Sequence, residues 1–441
     1  MRKAFFLLGL LRHGSLLVVL CSVLSLSAVR AETVLHVTDM PGLQAALASA
    51  QGGEIILLAA GDYGNLDLMA QTPFDITFPS VVTIASADPT RPARFSGLDL
   101  RGVANLTFDG ILFDYTYRIG DKLTTRPFQI WKDSNAITIR NSVFDGDVAT
   151  ELSPESDGYG TGFGLAVRGS SNITVENNEI FGFYRGLTVG WGTDVIVRSN
   201  DIHSIRMDGM NFSQGTNILI EDNYIHDFRR SPSRRDHADM IQFWTNGTKK
   251  PSTNITIRGN VLMSGDGGST QSIFMRNDMV DRGLAGEEFF YRNIVIEENV
   301  IVNGHTNAIK LGEADGVIIR ANTVLRNPLA AAGEGRQMTV RVPKITVATA
   351  SRNVLIEDNM AATYPLARSG WIVQGNMKVQ DISPMQPGYY HKLFAAAING
   401  DPHDLASFAI VPGSPADIPG LGAPLLRPGA DRERYRPAGA N

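Results

Sequence analysis

The chain has 441 residues, 43% of them hydrophobic and 19% charged, with 40 Lys and Arg against 45 Asp and Glu and one cysteine. The acidic balance excludes nucleic acid as a partner by default, because a phosphate backbone needs surplus cation. A single cysteine excludes a disulfide scaffold, so any anionic ligand must be held by a local basic cluster.

Arg2, Lys3 and Arg12 flank a short apolar start, and Ser15 to Val29 is almost wholly apolar or small. Val29-Arg30-Ala31 places small residues where a signal peptidase reads them, so residues 1–31 are expected to be a secretory signal. The protein is then periplasmic or extracellular. Cys21 leaves with the signal, and losing Arg2, Lys3, Arg12 and Arg30 takes Lys and Arg from 40 to 36 against 45 acidic residues, a net −9. No other segment is apolar enough to span a bilayer, so no stable membrane insertion is expected.

Met40 to Ala50 (MPGLQAALASA) predicts a short amphipathic helix, followed by a strand over Glu54–Leu58. Residues 32–104 are read as an N-terminal cap with the first coils. A weak repeat begins at Asn105 (NLTFDGI) and then recurs as NAITIRN from Asn135, NITVENN from Asn172, DVIVRSN from Asp194 and NILIEDN from Asn217. It continues as NITIRGN from Asn254, NIVIEEN from Asn293, GVIIRAN from Gly316 and NVLIEDN from Asn353. Among these eight stronger copies, successive starts differ by 22 or 23 residues, or by 37 to 39 where a loop is inserted.

Each copy alternates apolar and polar residues, which is strand periodicity, and a period near 22 holds three strands and three turns. The closing residues Asn141, Asn178, Asn200, Asn223, Asn260, Asn299, Asn322 and Asn359 form a register in which stacked amides can bond from coil to coil. A leucine-rich repeat has a similar period but needs an LxxLxL frame, which is absent. The repeats are expected over 105–365. After about Pro365 the phrase stops, and 366–441 are read as a C-terminal cap and a mobile tail, Pro/Arg-rich from Arg427. The expected fold is all-β: a single-stranded right-handed parallel β-helix of about ten coils, with an N-terminal helical cap and an irregular C-terminal tail.

This pattern resembles the pectate-lyase-like β-helix superfamily. GGEIILLAAGDY (from Gly52) and ADPTRPARFSG (from Ala87) resemble the opening of its alginate and chondroitin lyases. Such β-helices house lyases, hydrolases, epimerases and non-catalytic adhesins, so the resemblance implies the fold and leaves function to the site.

The strands preceding the Asn phrases are the informative ones: GLAVRG from Gly164, GLTVGW from Gly186, GMNFSQ from Gly209, MIQFWT from Met240, SIFMRN from Ser272 and AIKLGE from Ala308. Alternation points Leu165/Val167, Leu187/Val189, Met210/Phe212, Ile241/Phe243, Ile273/Met275 and Ile309/Leu311 inward. One outward column is then Ala166, Thr188, Asn211, Gln242, Phe274, Lys310 and Arg341, and the next is Arg168, Gly190, Ser213, Trp244, Arg276 and Gly312. Just before these strands lie Arg206 and Asp208 on one coil and Arg229, Arg230, Arg234, Arg235, Asp236, His237 and Asp239 on the next. Asp208 and Asp239 share an offset, so stacking brings their carboxylates together, close enough to share a cation or shift each other's pKa. A solvated turn of capping Asp and paired Arg is the plainer alternative.

Lys310 and Arg341 resemble the Lys/Arg acid–base pair of the alginate and chondroitin lyases, although the calcium ligands that family places before its Lys are missing from GHTNAIK (Gly304–Lys310). DPHD at Asp401–Asp404 is similar to the catalytic tetrapeptide of mannuronan epimerases, but here Asp401 reads as an N-cap with Pro402 at the first helical position. DHAD at Asp236–Asp239 is the better-placed counterpart.

A groove of cations and aromatics on an acidic exported chain suits an acidic polysaccharide as partner, acted on by a monomer. The expected activity is a lyase that removes the proton α to a uronate carboxylate and expels the 4-linked oxygen. Catalysis is assigned to His237, Asp239, Asp208, Arg276 and Lys310, with His237 or Lys310 as base. Substrate binding falls to Arg206, Asn211, Asp236, Gln242, Trp244, Phe274 and Arg341. Asp208 and Asp239 are candidate Ca²⁺ ligands, and no organic cofactor is expected. Uronate C5-epimerisation, glycoside hydrolysis by the two aspartates and non-catalytic sugar binding are the alternatives.

Overall fold

The computed structural model describes residues 33–69, 76–153, 156–231, 236–266, 268, 270–331 and 342–435. Residues 1–32, with Cys21 and the expected signal, and also Arg234, Arg235 and Arg341, lie outside the described residues. Within them the chain winds as a right-handed parallel β-helix. Successive coils each add a strand to three parallel sheets of 13, 10 and 12 strands.

The first sheet carries the Asn phrases and runs from Val34–Val37 to Trp371–Gln374. Its apolar residues stack in register, as in Ile218↔Ile255 and Ile220↔Ile257, so each coil buries its branched side chains on those of the next. The residue opening each phrase is left-handed: Asn172, Asn217, Asn254, Asn293 and Asn353 have φ of 55°, 56°, 56°, 55° and 52°. A short polar side chain tolerates that region best, which explains the recurring Asn.

The closing asparagines form a buried ladder. Asn200 donates through its backbone and side-chain nitrogens to Asn223 Oδ1 (3.0 and 2.9 Å), and Asn223 Nδ2 donates to Val197 O and Asn260 Oδ1 (both 2.9 Å). The ladder continues past Asn359 to Asn376. It does not include Asn141: the residue that donates to Asn178 Oδ1 is Ser142. The Asn135 copy is slipped by one, because Asn135 pairs with Ser171 and the left-handed residue there is Ala136.

The helix Met40–Ser49 caps the first coil as expected, with Asp39 accepting from Gly42 N and with Leu43, Ala46 and Leu47 buried. Helix is not confined to the two ends, since a turn at Asp278–Asp281 and a 3-10 turn at Glu287–Phe289 fill the insertion after the strand Gln271–Arg276. Strand pairing also outlasts residue 365, through Trp371–Gln374 and Met377–Lys378.

The tail is docked rather than loose as far as Tyr435, whose ring meets Tyr224 edge-on at 5.8 Å. Leu393, Phe394, Leu405, Phe408 and Leu426 form a second core with Tyr224, Val261, Val300, Leu325 and Met360 of the third sheet. In DPHD the helix cap is Asp404, which accepts from Ala406 N, and Asp401 instead accepts from His403 N. Among the described residues no helix is long and apolar enough to cross a membrane.

Candidate active site

The second sheet, from Asn65–Met69 to Lys344–Val347, presents the groove. Its expected inward residues are buried, and its outward column reads Asn211, Gln242, Phe274 and Lys310 in register. Lys310 then meets Thr346 on the following coil, so that place in the column is not Arg341's.

Three residues before this column lies a second one. Main-chain bonds from Gly186 N to Asp208 O (3.0 Å) and from Gly209 N to Asp239 O (2.9 Å) stack Arg185, Asp208 and Asp239 on successive coils. Asp239 pairs with Gln271, and Asn307 follows. Neighbouring coils are about 4.8 Å apart.

Asp208 and Asp239 are both 0% exposed. Asp208 Oδ2 meets Arg185 Nε at 2.9 Å and accepts from Asn211 Nδ2 at 2.8 Å. Burial pushes its carboxyl up to about 7; Arg185 opposes the rise and the Asp239 charge adds to it. Asp239 is also raised, again chiefly by burial, with His237 and Gln271 opposing. Its Oδ2 accepts from Gln242 Nε2 (2.7 Å) and its Oδ1 from Gln271 Nε2 (2.6 Å).

His237 is the exposed member, its side chain 52% open to solvent. Nδ1 lies 3.0 Å from Asp239 Oδ2, and Nε2 lies 2.8 Å from Gln271 Nε2. Asn307 Nδ2 donates to Gln271 Oε1, which turns the Gln271 amide nitrogen toward His237 and Asp239. An amide donor facing Nε2 favours a lone pair there and a proton on Nδ1 toward the carboxylate. The bond to Asp239 raises the imidazole pKa; burial and Arg230 oppose it. The His237 ring centroid is 5.1 Å from that of Phe274, and Lys310 Nζ is 5.2 Å from the same Phe274 centroid. Trp244 Nε1 donates to Asn211 Oδ1 (2.7 Å), and Asn211 Nδ2 donates to Gln242 Oε1 (2.5 Å), tying the indole to the same network.

Several expected roles change. Arg206 is 0% exposed, so it cannot touch a substrate; its Nε donates to Asp236 Oδ2 (2.9 Å), and its guanidinium carbon lies 5.3 Å from the Tyr184 ring. Asp236 is thereby a partner of the loop. Arg276 is held by Asp281 at 2.9 Å and Asp278 at 3.4 Å, which already neutralise it. Phe274 is only 5% exposed, so it supports His237 and Lys310 rather than offering a stacking face.

Calcium does not fit the aspartate pair. It takes oxygen ligands, whereas these carboxylates meet N–H groups of Arg185, Asn211, Gln242 and Gln271. Among the described residues no group of three or more His, Cys, Asp or Glu can hold a metal ion. The sequence reading missed Arg185, Gln271 and Asn307. Their signal was the offset they share with Asp208 and Asp239, two residues before Leu187, Ile273 and Ile309.

A family model described as a right-handed beta helix region matches residues 96–269. A search of curated proteins found no match. Among solved structures, the Dettilon tailspike protein is 13% identical with a TM-score of 0.50, over 77% of this chain and 62% of that one. PfbA, a surface adhesin of Streptococcus pneumoniae, is 14% identical with a TM-score of 0.49, over 66% and 86%. Pectate lyase Pel9A is 14% identical with a TM-score of 0.43, over 89% and 96%. At such identities the likeness is one of fold.

Proposed function

We propose that this right-handed parallel β-helix is a polysaccharide lyase acting on a uronate-containing polymer, with His237 as the proton-transfer group. One observation carries the reading: an imidazole at an open groove edge, fixed through Nδ1 by the buried Asp239 and through Nε2 by Gln271. A buried carboxylate behind an exposed imidazole orients the ring and stabilises the imidazolium formed when it takes a proton.

In the proposed step substrate displaces the Gln271 amide from His237 Nε2, leaving that amide on Asp239 Oδ1, and the freed Nε2 takes the proton from the carbon α to the uronate carboxylate. The freed electron pair forms the 4,5 double bond, the bond from C4 to the linking oxygen breaks, and that oxygen takes a proton from water. Lys310, which contacts the same Phe274 ring as His237, supplies positive charge for the carboxylate or the departing oxygen. Two-carboxylate hydrolysis is less well supported, because both aspartates are sealed from solvent.

The test incubates the protein and its His237→Ala variant with a panel of uronate polymers, with and without chelator, and follows ultraviolet absorbance of unsaturated ends. The expected result is a chelator-insensitive rise that the variant loses. Cleavage without unsaturation overturns the reading in favour of hydrolysis, inversion at C5 without cleavage in favour of epimerisation, and tight binding without product in favour of a sugar-binding protein.

A further inference from the structure

Toward the N-terminus the groove continues as a cluster of arginines and aromatic rings. Phe163 is its centre: the guanidinium carbons of Arg126 and Arg185 lie 5.0 and 5.5 Å from its ring centroid, and Tyr184 stacks at 6.4 Å. Arg168 closes the same strand, Phe163–Arg168, and its guanidinium carbon lies 5.4 Å from the Trp191 ring. The cations crowd one another. Burial first, and then the charges of Arg168 and Arg185, hold Arg126 below the ordinary arginine range.

Of these three, Arg185 is matched by Asp208. Among the described residues Arg126 and Arg168 have only their aromatic contacts, with no carboxylate and no hydrogen-bond acceptor. Two such forks on one surface repel each other unless an anion lies between them, and planar guanidinium groups grip an oxyanion in bidentate fashion. Farther along, Asp99 is engaged by Arg101, Trp131 (2.6 Å) and Gln129 (3.1 Å), and Asp67 beside it is exposed, so carboxylates line the groove there as well as cations.

We propose that Arg126 and Arg168, with Arg185 beside them already paired to Asp208, form an anion subsite holding an oxyanion substituent, carboxylate or sulfate, of a sugar unit on the N-terminal side of the reacting one. This rests on the reading of the groove as a polysaccharide path. The strand opening with Arg185 is two coils from that of Asp239, so the subsite begins roughly 10 Å from His237. It sets substrate class: a polymer with anionic units on both sides of the cleavage point is favoured over one with an isolated uronate.

The test measures calorimetric binding on the His237→Ala protein, so that turnover does not enter. The probes are alginate and polygalacturonate hexasaccharides, their carboxyl-reduced counterparts, and dextran sulfate. Arg126→Gln and Arg168→Gln should each weaken uronate binding about 10-fold and flatten its salt dependence, while Arg126→Lys, which keeps the charge and loses the fork, restores the salt dependence and only part of the affinity. The carboxyl-reduced sugars should not respond. Dependence seen with dextran sulfate alone identifies the substituent as a sulfate ester. Unchanged binding of both anionic probes in correctly melting variants overturns the subsite. Arginine-dependent binding without any unsaturated product from the wild-type protein keeps the subsite and discards the lyase reading.

Discussion

At His237 the two ring nitrogens are held by different kinds of partner, and that difference fixes the expected pH behaviour. Asp239 stabilises the charged ring, so the imidazole pKa is raised. A base works in its neutral form; turnover must therefore rise with pH through this raised value, and the acid limb of kcat/KM should lie above the ordinary histidine value of about 6.5. Asp239→Asn should move that limb down, and His237→Ala should cut turnover by about 10² with the melting temperature kept. Pre-steady-state and pH–rate measurements check both. Trp244→Ala should raise KM by about 5- to 10-fold with kcat little changed, a loss of about 1–2 kcal/mol of sugar or cation stacking. How far these residues were legible in the sequence depends on charge. The DHAD run stood out by its density of ionisable groups, whereas Gln271 and Asn307 carry none and Arg185 is the one charge between Glu179 and Asp194, so all three were passed over at the same offset. Arg206 misled for the opposite reason: a guanidinium signals chemistry in a sequence, and only the path of the loop buries it.

Among the elements, the asparagine ladder is the most demanding. Each buried amide satisfies main-chain groups on two coils, so removing one in the middle orphans several at once. Asn223→Ala strands the amides and carbonyls that Asn200, Val197 and Asn260 present to it and should cost about 3 kcal/mol, read as a shift in urea midpoint. Asn376 ends the ladder and is partly solvated, so Asn376→Ala should cost about 1 kcal/mol or less. The period, the strands and their inward faces were legible because burial enforces alternation coil after coil. The one-residue slip at Asn135 was not, because Asn135 and Asn141 each sit beside the position that counts. Their neighbours Ala136 and Ser142 do the work without matching the phrase.

For the whole molecule, the C-terminal segment was the least legible part, since its prolines and arginines read as loose while its scattered aromatics gave no periodicity. Those aromatics bind it to the third sheet beside a histidine–carboxylate stack. His226 lies 2.8 Å from Asp201 and 2.7 Å from Asp227, and His403 of the tail reaches Asp227 at 3.2 Å. Burial alone would lower the His226 imidazole, but the bonds to Asp201 and Asp227 outweigh it and push the pKa up to about 9. A raised pKa adds stability that is complete below the unfolded value of about 6.5 and is lost as pH climbs through the folded one, here up to about 3 kcal/mol. Urea stability should therefore fall between about pH 6.5 and 9, and His226→Gln should flatten that slope.

The same docking alters how the molecule comes apart. A bare stack of coils touches only nearest neighbours and can peel one coil at a time from its end. Here Tyr224, Val261, Val300, Leu325 and Met360, on five successive coils, share one apolar seam with the tail. Peeling the coils beyond them means lifting that splint off all five, so the C-terminal half should resist a protease until it gives way as a single block.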